Sequence, residues 1–437
     1  MRSKSINYQQ TSDLPKIVDR RQQLKQCLYQ CRAGTLELFE SIDESTFCYQ
    51  AHSEFSPVGW HLGHIGYTES LWLLERQTGT KPQFPQYRRL FVADGLPKAE
   101  RVKLPPLSEI KNYLAAIRNK VLLRLETIDL EKEERLWRWL LQHESQHTEI
   151  IAFIMQLQHW HDRAPVGASW QNLTTQNNFT VHPAFSSSLV PASCLDSEMI
   201  CIESGSFTQG NNSIDALDNE NCAHQVNLDT YYIDRYPVTC GQYRGFIEAG
   251  GYKNSTLWSK KGWQWVQNQQ VTKPLYWSDD LRWENHPVCG VSWYEAVAYA
   301  RFVGKRLPTE SEWEKAAGGK SNYPWGEDAP TRKHCNHNNA VSQTTPVNAY
   351  PDGQSIYGCY DMLGNVWEWT STVFDSYEGF ANYPYPGYSQ VYFDGEHLVL
   401  KGGSWATRPW ALRSSFRNWY YPGVRQILAG FRCAKNK

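Results

Sequence analysis

An excess of charge of either sign is missing from this 437-residue chain: 44 lysines and arginines stand against 45 aspartates and glutamates, a net charge of -1. Such a balance creates no field to steer the protein toward nucleic acid or anionic lipid. Also missing is any apolar run near the roughly 18 residues that a membrane span requires. Met1 to Lys16 is polar and has no apolar stretch of the kind a secretory leader needs. The expectation is a soluble cytoplasmic protein that engages neither nucleic acid nor membrane. No glycine-rich nucleotide fingerprint occurs. Cysteine is present but ill suited to a disulfide framework, because eleven is an odd number and the residues are scattered along a chain long enough to bury an ordinary core. Reduced, mostly buried thiols are expected.

What the chain has in abundance is aromatic: 14% of residues, with 19 Trp and 25 Tyr, most of them after residue 200. Length alone suggests two or three domains. From residue 17 to 163 the pattern is helical, with apolar residues at spacings of three and four over Gln22 to Ile42, Pro57 to Leu74, Leu107 to Leu130 and Glu131 to Trp160. Four such segments predict an up-down bundle. The third follows Pro105-Pro106, with Ser108 and Glu109 as a helix start. Residues 164–196 read as a linker, since Ala164 to Ser193 is rich in Ser, Asn, Thr and Gln without periodicity. Residues 197–437 carry short apolar runs broken by Gly, Pro and Asn, with helices predicted at Cys240 to Glu248 and Ser292 to Val303. That pattern fits an irregular mixed domain ordered by aromatic packing.

The most informative segment is His143-Glu144-Ser145-Gln146-His147-Thr148-Glu149. Imidazoles four residues apart lie on one helix face, within reach of one metal ion. The segment also satisfies the zinc-protease pattern H-E-x-x-H. A protease would continue with a downstream Glu or a Gly-x-x-His; Ile150 sits where that glycine belongs, and His159 and His161 lack the spacing. A third ligand would come from another helix, and Trp60-His61-Leu62-Gly63-His64 offers two candidates on nearly the same face, His64 and His61. Three nitrogens leave coordination positions open, as oxygen chemistry requires.

Nearly the whole chain resembles the ergothioneine-pathway sulfoxide synthases, mononuclear non-haem iron enzymes that join a DinB-like helical domain to a formylglycine-generating-enzyme-like domain. The likeness is carried by Ser56-Pro57-Val58-Gly59-Trp60-His61-Leu62-Gly63-His64, the His-x3-His-x-Glu segment and four longer words. These are Arg306-Leu307-Pro308-Thr309-Glu310-Ser311-Glu312-Trp313-Glu314, Asn365-Val366-Trp367-Glu368-Trp369-Thr370, Gly402-Gly403-Ser404-Trp405 and Gly430-Phe431-Arg432-Cys433. The resemblance implies an α+β multidomain chain: a DinB-like four-helix bundle, then an irregular FGE-sulfatase domain of C-type-lectin-like build. It implies Fe(II) held by His64, His143 and His147, with Glu149 orienting the helix. The substrates would be O2, a cysteine thiol and hercynine, the trimethylated betaine of histidine. The product would be hercynyl-cysteine sulfoxide, joined at imidazole C2.

Individual positions carry over in the same way. Gln146 resembles a glutamine that contacts the acceptor imidazole, and Asn418 and Trp419 resemble residues that hold the betaine end, an indole face being suited to a quaternary ammonium. Tyr385 resembles a tyrosine that delivers a proton or electron, with Tyr388 the reserve in the same Tyr- and Pro-rich stretch. Relatives that use γ-glutamylcysteine carry an Asp after Asn-Trp and extra arginines; those positions here are Tyr420, Lys98, Arg101 and Val424, the last beside Arg425. The missing partners of a γ-glutamyl group predict free cysteine as donor, its carboxylate bound by Arg101 or Arg425. Formylglycine generation is not expected, because Trp405 to Arg417 contains no cysteine. An ovothiol-type 5-histidylcysteine sulfoxide synthase and a hercynine-dependent selenium-transferring relative remain as rivals.

Overall fold

The computed structural model describes residues 13–162, 198–319 and 321–437, so the predicted linker 164–196 lies outside the described residues. The chain divides into two compact units after Met155.

The first unit is helical. Helix α1 spans Asp13–Glu37, and α2, Glu44–Cys48, starts where Asp43 accepts the Thr46 N–H at 2.7 Å. Helix α3, Val58–Glu69, runs through a π-helical turn at Ser70–Glu75 into α4, Arg76–Thr78, and Gly79 ends it in a left-handed conformation. The short α5, Arg88–Phe91, precedes α6, Leu107–Leu125, and α7, Leu130–Asp162. The four long segments predicted from periodicity are α1, the α3–α4 run, α6 and α7. Pro106 rather than Ser108 occupies the N-cap of α6, and Glu44 receives the free Leu107 N–H at 2.9 Å. Every residue of α3 is buried. Its glycines explain how: a Cβ at Gly59 would lie 2.5 Å from the Phe47 ring, and one at Gly63 2.2 Å from the Phe91 ring. Two glycines four residues apart thus open one face of α3 to α2 and α5.

The second unit is the irregular mixed domain that was expected. Strands β1 (Met199–Ile202) and β4 (Tyr231–Asp234) pair antiparallel, and β9 (Ala434–Asn436) adds to β4. Strands β2 (Gly205–Gln209) and β3 (His224–Leu228) form a separate antiparallel pair. A third sheet has the order β7-β6-β5-β8, built from β5 (Trp367–Val373), β6 (Leu398–Lys401), β7 (Asn418–Tyr420) and β8 (Ala429–Gly430). Helices α8 (Cys240–Glu248) and α10 (Trp293–Phe302) fall where expected, while α9 (Lys260–Gln269) and α11 (Glu310–Ala316) add to them. A reciprocal Thr309–Glu312 capping box starts α11.

Trp313 of α11 is fully buried among Ile202, Tyr231, Ile233, Met362 and Leu412. Its indole N–H donates to Glu368 at 2.8 Å, and Arg432 grips the same carboxylate through two bonds of 2.6 and 2.7 Å. Three of the long sequence words therefore meet in one buried cluster and serve the core. The ten cysteines among the described residues are free thiols, and no described helix is long and apolar enough to cross a membrane.

Candidate metal centre

Helix α3 carries His61 and His64, and α7 carries His143 and His147. The ligand atoms of His64, His143 and His147 all lie within 4.8 Å of one another, with His64 and His143 buried and His147 partly exposed. His61 is not part of this set; its Nδ1 lies 2.9 Å from Nδ1 of His147 instead.

The His64 ring is held from behind. His64 donates Nδ1–H to the Phe91 carbonyl at 2.6 Å, which leaves Nε2 with its lone pair. Trp60 stacks on that ring at 4.7 Å, its own N–H donating to Leu90 O at 2.7 Å, and the Arg101 guanidinium covers the Trp60 ring at 4.2 Å. Burial pushes His64 down to about 4, and burial followed by neighbouring histidines pushes His143 and His147 well below the ordinary imidazole value. Neutral imidazoles are the form that binds metal. Three converging neutral nitrogens fit a first-row transition ion and leave positions for other ligands.

Glu144 takes no part in that set. Its carboxylate accepts from Arg32 Nε at 2.8 Å, Arg118 Nη2 at 3.0 Å and Thr35 Oγ1 at 2.9 Å. Glu69 bridges the same two arginines, from Arg32 Nη2 at 2.7 Å and Arg118 Nε at 2.6 Å. Burial alone would raise the Glu144 carboxyl, but Arg32 and Arg118 hold it at about 2. A protease base needs a carboxylate free to take a proton, so this geometry removes the protease reading. The four alternating charges come one each from α1, α3, α6 and α7, and they fix the register of the two ligand-bearing helices. Sequence reasoning missed this cluster; the available signal was a charged residue within each apolar helical stripe.

The other predicted positions divide between the units. Gln146 is partly exposed on α7, between the two ligands. Arg101 is buried, donating to Leu96 O at 2.9 Å, Ser56 Oγ at 3.0 Å and Ala93 O, and none of these partners is a carboxylate. In the second unit, Asn418, Trp419 and Tyr420 form edge strand β7, whose alternation turns Trp419 to the face opposite Asn418 and Tyr420. Phe374 stacks on Trp419 at 4.3 Å, and Tyr388 meets it edge-on at 6.4 Å. Tyr385 and Tyr388 share a turn, the Tyr388 N–H donating to Tyr385 O at 3.2 Å. Asp218 anchors that loop through Ser389 Oγ at 2.5 Å and Tyr383 N at 3.2 Å. Arg425 lies 3.5 Å from Glu295 and donates to Lys273 O.

Fold and site together define a two-domain protein: a helical bundle with a three-histidine candidate metal centre, joined to an aromatic-rich mixed domain. The first part matches the DinB superfamily over residues 28–163, and the second the sulfatase-modifying factor enzyme 1-like domain over residues 187–437. Hercynine oxygenase of Mycobacterium tuberculosis is 37% identical over 439 residues, covering 94% of this chain and 98% of that one. Hercynine oxygenase of Mycolicibacterium smegmatis is 35% identical, covering 92% and 96%. The formylglycine-generating enzyme of Thermomonospora curvata is 34% identical over 288 residues, covering 54% of this chain and 92% of that one. The chain belongs to the hercynine oxygenase family.

Proposed function

We propose that this protein is an Fe(II)- and O2-dependent sulfoxide synthase that joins the thiol of cysteine to C2 of hercynine. The carrying observation is the set of three neutral histidines within 4.8 Å of one another, in a chain 37% identical to a hercynine oxygenase along nearly its full length. Bound by His64, His143 and His147, ferrous iron would supply O2 activation and a position for a soft sulfur ligand. In the overall reaction a C–H and an S–H bond are broken and a C–S bond forms. One oxygen atom ends on sulfur and the other leaves as water with the two hydrogens.

The surrounding residues take the roles their contacts favour. Arg101 would bind the cysteine carboxylate, since it is buried beside Trp60 and makes no carboxylate hydrogen bond among the described residues, whereas Arg425 already has Glu295. Gln146 would orient the acceptor imidazole. Trp419, its ring fixed by Phe374, would face the trimethylammonium, with Asn418 at the same strand edge. Tyr385 or Tyr388 would hold the proton that steers the outcome toward C–S bond formation. Tyr420 and Val424 supply neither charge that a γ-glutamyl donor would need, which supports cysteine. On this reading the protein is a cytoplasmic enzyme of small-molecule substrates, with a helical domain over residues 17–163 and a mixed domain over residues 197–437.

The test is anaerobic loading with Fe(II), then addition of O2, hercynine and cysteine, with mass spectrometry of the products. Hercynyl-cysteine sulfoxide is expected. Cysteine sulfinate alone would reassign the protein as a thiol dioxygenase, and a product formed only from histidine at C5 would favour the ovothiol-type reading. A large kcat/KM preference for γ-glutamylcysteine would overturn the donor assignment.

A further inference from the structure

The histidine left out of the ligand set is the unusual one. His61 is buried, its Nδ1 lies 2.9 Å from Nδ1 of His147, and its Nε2 is buried with no hydrogen-bond partner among the described residues. The Trp60 ring meets it edge-on at 5.2 Å. Two neutral imidazoles in Nδ1-to-Nδ1 contact share one proton, and there are two places for it. If His61 carried it, His147 would be protonated at Nε2 and could not ligate through that nitrogen. If His147 carries it and donates, His147 Nε2 keeps its lone pair, and His61 becomes the tautomer protonated at Nε2.

We propose that His61 is a positioning residue whose neutral Nδ1 accepts the Nδ1–H of His147 and so turns the Nε2 lone pair of His147 toward His64 and His143. His64 is held in the same way, the Phe91 carbonyl accepting its Nδ1–H. Ligating histidines are generally oriented by an acceptor at the other nitrogen. The contact also explains why a histidine occupies this place on a wholly buried helix. An unpaired buried N–H works against the fold, so an apolar residue would serve packing better. The inference rests on the metal-site reading above.

That opposition gives a test with two signs. In the full-length protein, His61→Phe should lower Co(II) affinity about 10- to 100-fold, measured by chelator competition, and alter the visible d–d bands. Its metal-free thermal midpoint should be unchanged or higher. His61→Asn returns an acceptor at the Nδ1 position and should recover affinity to within about threefold of wild type. A residue that only packs would show the opposite: lower stability and unchanged affinity, which would overturn the proposal. Should the Phe variant not fold, ¹⁵N spectra of histidine-labelled, Zn(II)-loaded wild type decide the matter. The proposal expects His147 protonated at Nδ1 and His61 at Nε2, and the reverse refutes it. Wild-type protein that binds no Co(II) would instead remove the metal-site reading itself.

Discussion

At the scale of single residues, Glu144 shows how one position in a motif changes meaning once its partners are known. A carboxylate held near 2 instead of its ordinary 4.5 stores about 3 kcal/mol at neutral pH. The folded value is depressed, so this contribution is complete above about pH 4.5 and is lost as pH falls from there toward 2. Glu144→Gln should therefore destabilise the protein by about 3–5 kcal/mol at pH 7, because two buried guanidiniums are left with one carboxylate. Denaturant unfolding should show the gap between variant and wild type narrowing below pH 4.5; a gap independent of pH would deny the ion cluster its role. His143 and His147 were legible in the sequence because their spacing is local to one helix, whereas His64, on α3, was separated from His61 only by the family resemblance. The cluster was not, since Arg32 and Glu144 are 112 residues apart and only the assembled bundle brings them together.

Among the elements, α3 bears the strongest constraint. Glycine weakens a helix by about 1 kcal/mol relative to alanine, so its appearance inside a helical pattern usually counts against the prediction. Here Gly63 admits the Phe91 ring, and the Phe91 carbonyl in turn holds His64. Gly63→Ala should cost about 1–3 kcal/mol through overpacking, since Phe91 is fully buried and has little room to retreat. Displacement of that carbonyl should also weaken metal binding, so calorimetric titration with Co(II) is the decisive measurement. An unchanged affinity with lowered stability would confine the glycine to packing. Periodicity revealed the four long helical segments because each repeats its apolar stripe over several turns. Helix α11 escaped because seven residues give too few turns for a period to stand out, and α9 because it is mostly polar, with only Gly262 and Val266 buried. The start of α6 at Leu107 was legible from the preceding prolines, but its partner was not, since Glu44, far upstream, accepts the Leu107 N–H.

For the whole molecule, the proposed reaction assigns different tasks to the two units. Under that proposal the helical unit would supply the metal ligands and the second unit would recognise the betaine. The long words in the second unit were readable as family markers, yet their visible work is core construction, as with Trp313, Glu368 and Arg432. The residues of this unit proposed to act on substrate sit instead on the short edge strand β7 and in the loop anchored by Asp218, where no regular pattern announces them. This division predicts two different kinds of loss. His143→Ala should abolish stoichiometric iron binding and, with it, all turnover. Trp419→Ala should leave iron content unchanged and raise KM for hercynine about 2- to 30-fold, the range that loss of one cation–π contact allows. It should leave any hercynine-independent oxidation of cysteine at its wild-type rate. Because the indole acts on binding in this scheme, high hercynine should restore most of kcat. If Trp419→Ala instead lost iron, or lost kcat with KM unchanged, the second unit would be acting on the chemistry itself, and its assignment to betaine recognition would fail.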